Sequence, residues 1–210
     1  MKYKIINNDL KKYIENEIFP LYKRNEYGHG IEHIKTVIKR SLNLAKNYDV
    51  NINIVYTVAA YHDIGHYIDR KTHELISAQI FLKDEKIKKW FNEEEIKTIK
   101  EAIEDHRASS QNKPRSIYGM IVSTADRTIG DIDTSIKRSY SYGLTHYEGI
   151  TKEQQIERVY EHLKEKYGEN GYAKVYLKDE ELEKGLKKLR IELKNKEKFI
   201  KRINKVIEKM

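Results

Sequence analysis

Not one cysteine occurs in the 210 residues. That excludes a disulfide framework, a Cys-ligated zinc or iron–sulfur site and a thiol nucleophile, so any metal must be held by His, Asp or Glu. Proline and glycine are scarce, 2 and 10 residues, which argues against a turn-rich β protein. Long apolar runs are missing too. None approaches the ~20 residues that span a bilayer, and the first nineteen residues lack the apolar stretch and small-residue cleavage site of a signal peptide. The expectation is a cytoplasmic chain with no membrane association.

What is present suits a sizeable core under a charged surface: 39% hydrophobic and 35% charged residues. The formal net charge of +8 is carried by one segment. Between Lys184 and Lys209 stand eleven Lys/Arg and three Asp/Glu, while the rest of the chain balances at thirty of each. Such a run is the solvated face of a Lys-rich helix or a surface for a polyanion such as nucleic acid. The first reading is favoured.

Apolar spacing predicts helices almost throughout. One runs from Asp9 to about Phe19 and bends near Pro20. Another starts at Ile31, with Ile34, Val37, Ile38, Leu42 and Ala45 on its buried face. From Asn53 to about Asp63 the chain is nearly all apolar, as a central buried helix would be. A helix near Thr72 carries Leu75, Ile76, Ile80 and Phe81. Asn92 and Glu95 form a capping box for a helix with Ile96, Ile99, Ile103 and His106 on one face. Ser116 opens a helix through Ile117, Met120, Ile121 and Ala125, and Thr151 with Gln154 caps the next. The last is expected to run unbroken from Asp179 to the C-terminus. Leu182, Leu186, Leu189, Leu193, Lys196, Ile200, Ile203 and Ile207 give it heptad spacing. That seam can pair with a second copy in a homodimer or pack along its own chain.

Six of the eight histidines precede residue 107: His29, His33, His62, His66, His73 and His106. His62 and Asp63 end the otherwise apolar central helix. A buried carboxylate is costly unless paired or bound to a cation, and a divalent ion with neutral imidazoles satisfies it. Asp126 likewise ends a mostly apolar helix, and His33 sits beside a buried face. Four such groups from three helices of a bundle can meet around one ion. His73-Glu74 begins a zincin-like motif, but Ser77 stands where its second His would be. His146 and His162 are read as structural.

The ordered series His33…His62-Asp63…Asp126 resembles the H…HD…D signature of the HD superfamily of metal-dependent phosphohydrolases. The local contexts are GHGIEHIKTVI, AAYHDIGH and STADR, and the resemblance covers about residues 25 to 145. KRSYSYGL, THYEG and ERVYEHLKEKYG are similar to that family's downstream helices. The resemblance implies an all-α HD-domain helical bundle over residues 1–150. Residues 151–210 would add C-terminal helices that pack on it or mediate association. His73 in THELISA and His106 in AIEDHRAS resemble the inserted histidines of the H…HD…H…H…D subgroup, which includes dinuclear enzymes. On that pattern they hold a second ion and Asp63 bridges the two.

The implied activity is hydrolysis of a phosphomonoester or phosphoanhydride in a small, nucleotide-like molecule by metal-activated water. Asp63 would hold the metal and orient the water. The cofactor is one or two divalent ions, with Mn, Fe, Co, Ni, Mg and Zn all admissible. His29 is expected to contact substrate. His66 stands where many relatives carry Lys and would serve as a proton donor. Arg107, Lys113, Arg115 and Arg127 are the cations near the motif that would grip the phosphate. Two other classes fit the same residues: a di-iron oxygenase, and a regulatory module that binds nucleotide or nucleic acid.

Overall fold

The computed structural model describes residues 5–26, 28–110, 112–127 and 131–210, and regular structure among them is wholly helical. The chain divides into two compact units. The first takes the described residues up to Asp126 together with Val175–Leu177; the second takes Arg127–Lys174 and Lys178–Met210.

At the centre of the first unit lies α3 (Ile52–Tyr61), in which every residue from Ile54 to Tyr61 is buried. Its uniform apolarity is what a helix packed on all sides requires. Around it stand α2 (Ile31–Ala45), α5 (Glu93–Glu104) and α6 (Ile117–Asp126), while α4 (His73–Lys83) packs on α5. In α2 the buried side chains His33, Ile34, Val37, Ile38, Ser41, Leu44 and Ala45 follow steps of three and four, so one stripe meets the core. Each large aliphatic or aromatic side chain buried here contributes about 1.5–3 kcal/mol.

Asparagines start several of these helices. Asn7 accepts from the backbone N–H of Asp9 and Leu10 at the head of α1 (Asn8–Tyr13), and Asn51 accepts from Asn53 at α3. The capping box of Asn92 and Glu95 forms as its residues imply. Beyond α1 the chain continues as a π-helical turn, Ile14–Ile18, and a 3-10 segment, Phe19–Arg24. Pro20 falls in the first turn of that segment, where its missing N–H leaves no bond unmade. The hydroxyls of Tyr13 and Tyr61 both donate to Asp84, at 2.8 and 2.6 Å, tying the start of the chain to the end of α4.

The second unit holds α7 (Ile132–His146), α8 (Lys152–Tyr167), α9 (Glu180–Leu193) and α10 (Lys196–Ile207). Its core includes Ile156, Val159, Tyr160, Leu163, Leu186, Leu189, Phe199 and Ile203. On α10, Arg202 reaches Asp133 of α7 at 2.7 Å and Glu192 of α9 at 2.6 Å.

Two expectations are corrected. The last helix is two, broken after Leu193, because the side chain of Asn195 caps a new start by accepting from the N–H of Lys198. Past the break the buried face shifts by one residue to Phe199, Ile203 and Val206, and Lys196 lies outside it. Leu182, Leu186, Leu189 and Leu193 are buried within this chain. His106 is not on the α5 face but in the turn beyond Glu104.

Candidate metal centre

Eight of the candidate residues come together, and each is delivered by a helix end or a turn beside one. His29 lies in the turn before α2 and His33 in the first turn of α2. His62 and Asp63 follow α3 directly, and His66 sits in the turn beyond. His73 opens α4, and His106 follows α5. Asp126, the last residue of α6, completes the set. The turn after Asp63 is pressed close to α4. A Cβ on Gly65 would stand 2.8 Å from both Ile76 Cγ2 and the Ser77 backbone nitrogen, so only glycine fits. The Gly65 N–H donates to Ser77 Oγ at 2.9 Å and fixes the approach.

Three histidines share one arrangement. His62 Nδ1 lies 2.8 Å from Ala59 O, His73 Nδ1 2.9 Å from Arg70 O, and His106 Nδ1 2.6 Å from Ile103 O. A carbonyl oxygen only accepts, so each Nδ1 must carry the hydrogen. In the neutral ring each Nε2 then presents a bare lone pair, the form in which histidine ligates a metal.

Those lone pairs converge on the carboxylates. His33 Nε2 is 3.2 Å from Asp126 Oδ1 and 3.5 Å from Asp63 Oδ2. His62 Nε2 is 3.6 Å from Asp63 Oδ2 and 3.8 Å from Asp126 Oδ1. On the other side of the same carboxylate, His73 Nε2 and His106 Nε2 each lie 3.3 Å from Asp63 Oδ1 and 3.1 Å from one another. Two bare lone pairs facing at that distance repel unless a cation or proton lies between them. Bonds of about 2.0–2.2 Å to one cation, at tetrahedral or octahedral angles, set neighbouring donors about 2.8–3.6 Å apart. The observed spacings fall in or just beyond that range. His33 Nε2 and His62 Nε2 are moreover buried without a hydrogen bond, which proteins rarely leave so. The residues therefore fit a divalent cation, and Asp63 offers one oxygen to each of two donor groups.

Electrostatics agree. Burial would raise the carboxyl of Asp63, but His62, His29 and His106 outweigh it and hold it well below the usual range. Burial would likewise raise Asp126, and His33 and His62 hold it down. Burial opposes a charge on His33, yet Asp126 and Asp63 lift it to about 9. His62 is raised by Asp63 and Asp126 against its burial. Burial dominates at His29 and His106, which are lowered. His66 is pushed down to about 3, first by burial and then by its neighbour His29.

His29 donates from Nδ1 to the Asp63 carboxylate, Oδ2, at 2.7 Å and keeps about a third of its side chain open to solvent. His66 stacks on it, ring centroids 4.0 Å apart, and is itself only 4% exposed. The cations fare differently. Arg107 is engaged by Glu74, and Arg115 turns away onto Asp105 and Glu104 at 2.9 and 2.8 Å. Lys113 is exposed in the loop before α6, and Arg127 is buried directly after Asp126.

One contributor escapes a reading of the sequence. Asn25 donates from Nδ2 to the backbone carbonyls of His29 and Asp63, both at 2.9 Å, and accepts from the Tyr67 N–H. In the sequence it is a loop asparagine near a glycine, with no signal beyond a turn.

Residues 30–131, which carry every histidine and aspartate of the cluster except His29, match the HD domain family. The chain is an HD-domain protein. In its fold the chain resembles the crystal structure of a predicted HD superfamily hydrolase from an uncultured Thermotogales bacterium. The TM-score is 0.51, with 22% identity over 70% of this chain and 83% of that one. A protein of Clostridium beijerinckii described only as uncharacterized is 35% identical over 96 residues, 43% of this chain. The match spans 60% of the length of that relative. No helix among the described residues is long and apolar enough to cross a membrane.

Proposed function

We propose that this HD-domain protein is a metal-dependent phosphohydrolase that uses two divalent ions to cleave a phosphomonoester or phosphoanhydride in a small, nucleotide-like substrate. The observation that carries the reading is the Asp63 carboxylate, with Oδ2 facing His33 and His62 and Oδ1 facing His73 and His106. His33, His62, Asp63 and Asp126 would hold one ion, and Asp63, His73 and His106 the other. Bound there, divalent cations neutralise phosphate charge and lower the pKa of bound water towards neutrality.

The chain's own groups then have distinct tasks. Asn25 fixes the backbone on both sides of the His29–Asp63 contact, and His29 orients the bridging carboxylate through its 2.7 Å bond. Because His29 is open to solvent and His66 lies buried behind it, His29 is the ring that meets substrate and His66 sets its plane. The three backbone carbonyls fix the tautomer, holding the hydrogen on Nδ1 so that Nε2 is the ligating nitrogen of each neutral ring.

The test is phosphate or pyrophosphate release from a nucleotide panel by purified protein supplied with Mn, Co, Ni, Fe or Mg. Turnover with at least one metal is expected, and its loss on His62→Ala; no release under any of these conditions overturns the proposal.

A further inference from the structure

The donors His73 and His106 sit where a helix holds its backbone least. His73 is the first residue of α4, whose preceding Thr72 makes no side-chain cap, and His106 lies beyond the last turn of α5. Helix ends leave backbone groups unbonded and fray readily. Yet the two Nε2 atoms are held 3.1 Å apart.

In the sequence each of these histidines is followed at once by a charged residue, Glu74 and Arg107. Those two residues meet: Arg107 Nη1 lies 2.9 Å from Glu74 Oε2 and 3.1 Å from Oε1. The same nitrogen donates to the backbone carbonyl of Lys71, and Nε donates to Ser109 Oγ at 2.8 Å. Glu74 Oε2 is also 3.6 Å from His73 Nδ1. Arg107 thus joins the turn before α4, the first turn of α4 and the turn after α5. The pair is partly shielded, with the Glu74 side chain 16% exposed, so solvent screens it less than an open surface pair.

We infer that Glu74 and Arg107 are positioning residues: their ion pair braces the two helix ends so that His73 and His106 form the second metal subsite. The inference rests on the two-ion reading above. It gives Arg107 a structural partner in place of the substrate phosphate. Groups that orient metal ligands from outside the ligand set commonly change metal affinity about 10–100-fold when removed.

The experiment is a Mn²⁺ titration of purified protein by calorimetry, with electron paramagnetic resonance to detect a coupled ion pair. The wild type, Glu74→Gln, Arg107→Gln and the double variant are compared. Two ions are expected on the wild type. Each single variant should bind the second ion about 10–100-fold more weakly and lose the coupled signal, with the first ion unaffected. The double variant should be no worse than Arg107→Gln alone, in which the Glu74–Arg107 contact is already lost. Retention of the first ion shows that a variant is folded. If the wild type binds one ion only, the two-ion reading fails. If it binds two and the single variants do likewise within about twofold, the brace is refuted and the two-ion reading stands. Loss of both ions together, or additive losses in the double variant, also overturns the brace.

Discussion

Asp63 and Asp126 are both buried carboxylates facing imidazoles, but their positions are not equivalent. Asp63 touches both donor groups, through Oδ2 and Oδ1, whereas Asp126 faces the His33–His62 group. Asp63→Asn should therefore abolish uptake of both ions, and Asp126→Asn only that of the first. The metal-to-protein ratio after equilibrium dialysis distinguishes the two, and equal losses would contradict the bridging role. Gly65 acts through shape. Its missing Cβ is what lets the Asp63 turn sit against Ile76 and Ser77. Gly65→Ala should cost about 1–3 kcal/mol as an overpacked contact, seen as a lower Tm. It should also weaken metal binding, because the displaced turn carries Asp63. Unchanged Tm and affinity would show that the turn has slack.

Helices were legible because burial follows residue type and spacing. The uniformly apolar α3 and the striped α2 lie where their patterns put them, and both capping boxes form. The α9–α10 break was hidden because the alternation of four and three continues through it, and a pattern of spacing cannot register a new N-cap at Asn195. A related cap yields a pH-dependent prediction. Asp131 starts α7 by accepting from the N–H of Asp133 and Thr134 and from the Thr134 hydroxyl. Burial pushes its carboxyl up, but those bonds outweigh it and the net shift is downward. A folded-state value below the unfolded one, about 3.9, means that the charge stabilises fully above that pH and the benefit drains as pH falls. Asp131→Ala should lose about 1 kcal/mol at pH 7 and progressively less below pH ~4. Asp131→Asn, which keeps an acceptor but has no charge to titrate, should lack this acid dependence. Denaturant midpoints measured from pH 3 to 7 check both, and a constant difference across that range would exclude an ionised cap.

Across the whole molecule the chemistry and the charge lie in different units. Every proposed metal donor belongs to the first unit, whereas the excess of lysine and arginine lies within Lys184–Lys209 of the second. The charge asymmetry and the histidine-rich first half were readable as counts. Convergence was not, because His33, His62, His73, His106 and Asp126 belong to different elements and meet only once the helices pack. Asn25 and the Glu74–Arg107 pair escaped notice for the same reason: their partners are distant in sequence. The asymmetry gives a test at this scale. A ligand that binds only the folded form stabilises it by about 2.7 kcal/mol at a hundredfold excess over Kd. Since the donors all sit in the first unit, adding Mn²⁺ should slow amide hydrogen exchange in the segments that carry them: the start of α2, the end of α3, the start of α4, the end of α5 and the end of α6. Chelation should reverse it. Amides of α9 and α10, whose lysines and leucines supply no donor, should exchange at the same rate with and without the ion. Protection that rises equally in α9 and α10, or fails to rise around Asp63, would place the ion somewhere other than this cluster.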